Sequence, residues 1–423
     1  MKIRRQRRIT LPFLILPIFL AVAGAARGQD HWVGSWYTSQ MAPDSKDELP
    51  ADAFQGSTLR QVVHLTIGGE KLRVRFSNRF GTTPFHIASV HVALASTEGA
   101  GAIVKGTDAA LRFSGSPDVT IPAGADYISD PLGFRAGPLS DLAISIYFDS
   151  APSGQTSHPG SHATSYLVRG NKVSEAALTD PAKFEHWYFI EGVDVAAAAK
   201  ALAVVTLGDS ITDGHGSTTN ENDRWPDVLA KKLQANPKTR EISVLNEGIG
   251  GNRLLLDRLG PNALARFDHD VLAPPGVRYV IVLEGINDIG MLTRDADAPQ
   301  SEHDALVHNL VGAYEQIIAR AHAHGIEVVG ATLTPFVGGQ YYHPGAATEA
   351  DREALNRWIR EPGHFDGVVD FDSVTRDPQH PDRMLPSFDS GDHLHPGPAG
   401  YAAMGNSVPL SLFEKARAPA HRN

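Results

Sequence analysis

The chain has 423 residues, no cysteine, 42% hydrophobic and 20% charged residues, and a formal net charge of −10. That length and composition support two or three globular domains with real cores and argue against disorder. They exclude disulfides, thiol nucleophiles and thiolate metal sites, and an acidic chain with no long basic run beyond residue 10 speaks against nucleic-acid binding.

Residues 1–28 read as a secretory signal peptide. Lys2, Arg4, Arg5, Arg7 and Arg8 form a positive n-region, Leu11 to Ala23 is apolar, and Ala21, Ala23, Gly24, Ala25 and Ala26 supply small residues before a cleavage point near Ala25 to Gly28. The expected mature protein is secreted or periplasmic. The alternative, a membrane anchor, asks too much of a short run broken by Pro12 and Pro17, since a spanning helix needs about 20 apolar residues. No later segment is long and apolar enough, so no stable membrane insertion is expected.

Residues 29–197 carry a strand-like pattern. Leu72, Val74 and Phe76 alternate with Lys71, Arg73 and Arg75; Leu142, Ile144, Ile146 and Phe148 alternate with Ala143, Ser145 and Tyr147. Period two predicts half-buried strands, and Gly68-Gly69, Gly81, Gly137-Pro138 and Pro159-Gly160 punctuate them. Many short strands without a helical stretch predict a β-sandwich of jelly-roll type, with Trp32, Trp36 and Trp187 in its core rather than as a binding platform.

From 198 to 415 the period changes, the Ala-rich stretch Ala196 to Ala199 marking the boundary, and residues 416–423 read as a tail. Ala203 to Leu207, Ile242 to Leu245, Tyr279 to Leu283, Glu327 to Ala331 and Val368 to Phe371 are almost continuously apolar, as strands of a parallel sheet covered on both faces are. Between them lie helical patterns. One places Leu306, Leu310, Ile317 and Ala321 on one face, with Ser301 as its cap and Gly325 at its end; another carries Trp225, Val228, Leu229 and Leu233. Alternating strands and helices predict a three-layer α/β domain.

Loops beyond the carboxyl ends of such strands carry function. Four are polar or glycine-rich: Gly208-Asp209-Ser210, then Asn246 to Asn252, then Glu284-Gly285-Ile286-Asn287-Asp288, then Asp389 to Pro396. Singly, each reads equally well as a polar turn. Together they fit one mechanism. A serine hydroxyl is a weak nucleophile and needs a base, and the base needs an orienting acid. Ser210, His395 and Asp392 fill these places, since an acid three residues ahead of a histidine can bond its Nδ1–H and leave Nε2 free. The N–H of Ser210, the N–H of a glycine in the second loop and the side chain of Asn287 would receive the oxyanion, each donor worth about 3 kcal/mol. A rival grouping is a metal site from Asp389, Asp392, His393 and His395.

These four blocks resemble the SGNH (GDSL) hydrolase superfamily in order and spacing. The resemblance implies a flavodoxin-like three-layer α/β/α fold with five parallel strands, hydrolysis through an acyl-enzyme, and no metal or other cofactor. By position it makes Ser210 the nucleophile, His395 the base and Asp392 its partner. Ser210, Gly251 and Asn287 become the oxyanion donors, with Gly250 as the alternative to Gly251. The segments His31 to Trp36, Leu59 to Val63 and Arg73 to Asn78 are similar to a bacterial and fungal group of secreted members with an N-terminal β-domain, catalogued as lysophospholipase-like or as polysaccharide side-chain esterases. The expected partner is a small-molecule or polysaccharide acyl ester; a lysophospholipase or lipase is the alternative, and a carbohydrate-binding protein without catalysis the second. Trp225, Tyr341, Tyr342 and His343 are expected at the cleft rim.

Overall fold

The computed structural model describes residues 30–50, 52–96 and 101–414. The expected signal peptide and the tail from residue 416 lie outside the described residues. Between residues 30 and 200 the described residues form strands and turns without a helix, as the alternating pattern predicts.

Two antiparallel sheets dominate this half. One runs Trp32–Tyr37, Ile190–Ala196, Gly69–Ser77 and Asp126–Ile128, with Leu132–Ala136 also on Gly69–Ser77; the other runs Ala182–Phe184, Ser165–Arg169, Ser57–His64, Asp141–Phe148, Ser89–Leu94 and Ala109–Ala110. Leu142, Ile144, Ile146 and Phe148 all point into one core, as period two requires. The opposite face departs from the half-buried expectation, since every residue of Ser57–His64 is buried. Arg60 explains it. Its guanidinium reaches across that face to the carbonyls of Gly101, Val173 and Glu175, so segments around residues 101 and 173 cover the central strands. Trp36 and Trp187 pack edge to face in the core, as expected.

The second half contains a five-stranded parallel sheet in the order Ile242–Gly248, Leu202–Gly208, Val277–Leu283, Glu327–Ala331 and Gly367–Val369. This is the flavodoxin-like order, whose reversal lies between the strands Leu202–Gly208 and Val277–Leu283. Helices Trp225–Ala235 and Pro398–Ser407 pack on each other, as do Gln300–Ala323 and Ala346–Arg360. Two boundaries differ from the sequence pattern. Helix Gln300–Ala323 is entered through extended Pro299, so Ser301 lies inside the first turn and caps nothing. The last strand stops at Val369 because Asp370 caps a new helix, Phe371–Thr375, accepting the Ser373 N–H at 3.1 Å. No helix among the described residues is long and apolar enough to cross a membrane.

The described residues from His31 onward form one compact unit, and its core is continuous across both halves. Strand Trp32–Tyr37 lies beside the edge strand Ile242–Gly248, the Gly34 N–H donates to Pro275 O at 2.9 Å, and the Thr66 hydroxyl accepts the Val244 N–H at 3.1 Å. This edge of the parallel sheet is thereby covered by the β-rich half, which blocks pairing with other chains there.

Where the halves meet, the His269 ring bonds Asp126 and Asp270, each at 2.9 Å, with Glu191 3.5 Å away. Burial, helped by Asp126, pushes the Glu191 carboxyl up to about 7. Burial opposes charge on His269, but the bonds to Asp126 and Asp270 win and lift it to about 10. Both groups hold more protons folded than unfolded. The stability from Glu191 is complete below its ordinary value of 4.5 and is lost as pH rises through about 7. That from His269 is complete below 6.5 and lost through about 10. His162, which burial pushes down to about 4, acts the other way between there and 6.5. The Tm is expected to fall between pH 6.5 and 9, and Glu191→Gln to make that slope shallower. An unchanged slope in thermal melts would reject the account.

Candidate active site

The strand Leu202–Gly208 ends at the sheet's reversal, and Asp209 turns the chain into the short helix Ser210–Asp213. The buried Asp209 carboxyl accepts the Ile211 N–H at 2.9 Å as the helix cap. Ser210 is therefore the first helical residue, and among the described residues its own N–H has no protein acceptor, as expected at a helix start. Its Oγ lies 2.8 Å from His395 Nε2. The His395 Nδ1–H donates to Asp392 Oδ2 at 2.6 Å, and Asp392 Oδ1 accepts the N–H groups of Leu394 and His395. One carboxylate thus holds both the loop and the ring. Burial disfavours its charge, but the bonds from His395 and the backbone outweigh that and hold Asp392 well below the usual carboxylate range.

Ser210, His395 and Asp392, singled out from three separate stretches of sequence, stand in one hydrogen-bonded row. Asp389 and His393 form a separate pair at 2.5 Å instead of joining them. His215 also adjoins the row, its ring centroid 4.2 Å from that of His395 and its Nε2 4.0 Å from Asp392. Although the ring is exposed, the loss of water on the side that faces the protein, and then the neighbouring His395, lower its pKa.

The second and third loops converge on the same place. The Gly250 N–H donates to Asp213 Oδ2 at 3.0 Å, so it is already spent. The Gly251 N–H has no protein acceptor among the described residues, which favours Gly251 over Gly250 as a free donor. Gly251 has φ +73°, and a Cβ there would stand 2.5 Å from Leu259 Cδ1, so the loop requires glycine. Asn287 sits in the first turn of the helix Ile286–Thr293. Its amide orientation is fixed twice: Nδ2 donates to Asn252 O at 2.7 Å, and Oδ1 accepts the Tyr342 hydroxyl at 2.6 Å. One Nδ2 hydrogen remains for the cleft.

Beneath these loops lies Arg266, 1% exposed. Its Nη2 donates to Gly208 O at 2.9 Å, Nη1 to Glu247 O at 2.7 Å, and Nε to Asn252 Oδ1 at 2.9 Å. A single planar cation therefore ties the ends of two strands to the glycine loop. Ser39, from the β-rich half, accepts a bond from Arg266 and lies 2.7 Å from both Glu247 and Asp270. Burial and then the charge of Asp270 push the Glu247 carboxyl well above its ordinary value.

The row opens into a cleft of about 830 Å³ lined from both halves, with Met41, Asp44, Asp47, His158, His162 and His186 on one side and Arg253, Arg258, Asn287, Gln340 and Tyr341 on the other. Of the residues expected at its rim, Tyr341 is exposed there and Tyr342 lines it while holding Asn287. Trp225 is fully buried against Phe371 and belongs to the core, because its helix turns that face inward. Sequence reasoning missed Arg266 and His158, which carry no local motif, and gave no role to Asp213, three residues beyond Ser210 at the end of its short helix.

The family model for GDSL-like lipase/acylhydrolase matches residues 206–403. No curated protein matches the chain. Solved structures similar to it include a GDSL-like lipase from Bacteroides thetaiotaomicron, at 19% identity over 52% of this chain and 91% of that one, with a TM-score of 0.38. The α/β hydrolase enzyme LAE5 from the metagenome of Lake Arreo, Spain, is 22% identical over 52% of this chain and 98% of that one, with a TM-score of 0.36. The acetyl xylan esterase AlAXEase is 18% identical over 49% and 97%, also with a TM-score of 0.36.

Proposed function

We propose that residues 206–403, which match the GDSL-like lipase/acylhydrolase family model, form a domain of that kind, and that this protein is a secreted serine ester hydrolase that removes acyl groups from extracellular carbohydrate or small esters through Ser210, His395 and Asp392. The observation that carries the proposal is the row Ser210 Oγ–His395 Nε2 at 2.8 Å and His395 Nδ1–Asp392 Oδ2 at 2.6 Å, on the wall of an open cleft. His395 takes the Ser210 hydroxyl proton as Oγ attacks the ester carbonyl carbon. Negative charge builds on the carbonyl oxygen and is received by the N–H groups of Ser210 and Gly251 and the Asn287 amide. Collapse expels the alcohol, protonated by His395, and leaves an acyl-serine. Water then repeats the sequence, restoring Ser210 and releasing the acid. Export is supported by the basic and apolar pattern of residues 1–28.

The carbohydrate reading is supported by the width and polarity of the cleft, where Asp44, His186, Arg253, Gln340 and Tyr341 offer bonds to hydroxyl groups. A second reading, a lysophospholipase, is favoured by one feature. Leu255 and Leu256, on the loop that supplies Arg253 and Arg258, join Leu264, Leu292 and Leu306 in a shallow apolar groove, and Leu256 is 60% exposed. An acyl-ester panel separates the two. Acetylated xylan and short nitrophenyl esters are expected to be hydrolysed faster than lysophospholipid, and rates that rise with acyl length to long chains would reverse the assignment. Turnover is also expected to survive a chelator; its loss would restore a metal to the mechanism.

A further inference from the structure

We propose that His158, contributed by the β-rich half, is a positioning residue of this site: acting through Asp213, it fixes which N–H of the glycine loop is left for the oxyanion. The proposal rests on the hydrolase reading above. Four groups form a buried chain. Ser39 O lies 2.8 Å from His158 Nδ1, His158 Nε2 lies 2.9 Å from Asp213 Oδ1, and Asp213 Oδ2 accepts the Gly250 N–H at 3.0 Å. A carbonyl can only accept, so Nδ1 carries a hydrogen. The bond to the carboxylate then needs a second hydrogen between Nε2 and Oδ1.

Burial opposes charge on Asp213, but the interaction and hydrogen bond with His158, together with Arg224, outweigh it and hold the carboxyl below its ordinary value. A buried hydrogen bond between ring and carboxylate therefore joins the two halves of the protein. The β-rich half is shaped for this contact. A Cβ on Gly160 would stand 2.0 Å from Asp213 Oδ2, so glycine at 160 lets the loop after His158 close over the carboxylate. Trp187 stacks on the His158 ring, with centroids 5.7 Å apart and 28° between planes, and holds it in register.

The consequence lies in the neighbouring peptide. With its N–H bonded to Asp213, Gly250 cannot turn toward the cleft, and the loop presents Gly251 instead. If that anchor is lost the loop no longer holds a donor at the 2.7–3.1 Å an oxyanion requires. Through this anchor the β-rich half acts on the oxyanion donors as well as lining the cleft.

The test uses the full chain and p-nitrophenyl acetate. Asp213→Ala and His158→Ala are each expected to lower kcat about 10- to 100-fold, with KM changed less than about threefold. The double variant should be no worse than the weaker single variant, because both act through one anchor. Asp213→Asn keeps an acceptor for Gly250 and can donate to a neutral His158, so it should stay within about threefold of wild type. If either alanine variant fails to fold, Gly160→Ala, which displaces the carboxylate without changing charge, should reproduce the fall in kcat. Folded variants with wild-type kcat, additive losses, or an Asp213→Asn as poor as Asp213→Ala would overturn the proposal. A wild-type protein without turnover, or a Ser210→Ala variant as active as wild type, would instead sink the hydrolase reading.

Discussion

Replacing Ser210 by alanine is expected to lower kcat/KM for p-nitrophenyl acetate by at least about 10⁴-fold while leaving the fold intact. Ser210 supplies both the attacking oxygen and the proton that His395 must carry to the leaving alcohol, so no covalent route survives its loss. His395→Ala should cost about as much, and the double variant little more, because a nucleophile without its base is as idle as a base without its nucleophile. What persists is the slow attack of water on an ester held by the oxyanion donors. The Tm should hardly move, since among the described residues the Ser210 side chain bonds only His395. A phosphonate probe is expected to label the wild type and not the variant. Equal turnover by the two proteins would remove Ser210 from the mechanism.

The parallel sheet was legible in the sequence because burial on both faces writes itself as unbroken apolar runs, and four of its five strands fall within a few residues of the expected bounds. The fifth was read too long: Val368 to Phe371 is apolar throughout except for Asp370, and that aspartate is the cap that ends the strand. Local polarity overrode hydrophobic pattern there. The strands of the β-rich half were legible for the opposite reason, their alternation. Alternation speaks for one face only, so it carries no trace of the covering of the other by the chain around Gly101 and Val173, to which Arg60 reaches across.

The site divides the same way. Ser210, Gly251, Asn287, Asp392 and His395 stand in short polar stretches that interrupt the apolar pattern, and chemistry requires their types. The residues that hold them need no particular spacing. Arg266 reads as one more charge on a short helix, yet it is fully enclosed and braces the ends of two strands. His158 lies 55 residues before its partner Asp213, in a half whose alternation suggests only structure. Tertiary contact across the two halves creates these roles, and nothing local records it.

The Asn287 amide offers the sharpest test of the oxyanion arrangement. Asn287→Ala is expected to reduce kcat by about 10²- to 10³-fold with KM nearly unchanged, because a donor aimed at a charge that exists only in the transition state contributes little to holding the ground-state ester. Tyr342→Phe should cost less, about 3- to 10-fold. It leaves the donor in place and removes only the 2.6 Å bond to Oδ1, one of the two that fix the amide's orientation. The bond from Nδ2 to Asn252 O allows a competing account, in which Asn287 merely braces the glycine loop. The two accounts part in their readouts. A brace would lower Tm and raise KM along with its effect on kcat. An oxyanion donor lowers kcat and the affinity for a tetrahedral boronate analogue by matching factors, and leaves Tm within a few degrees. Unchanged boronate affinity in a variant whose kcat has fallen would take Asn287 out of the oxyanion hole.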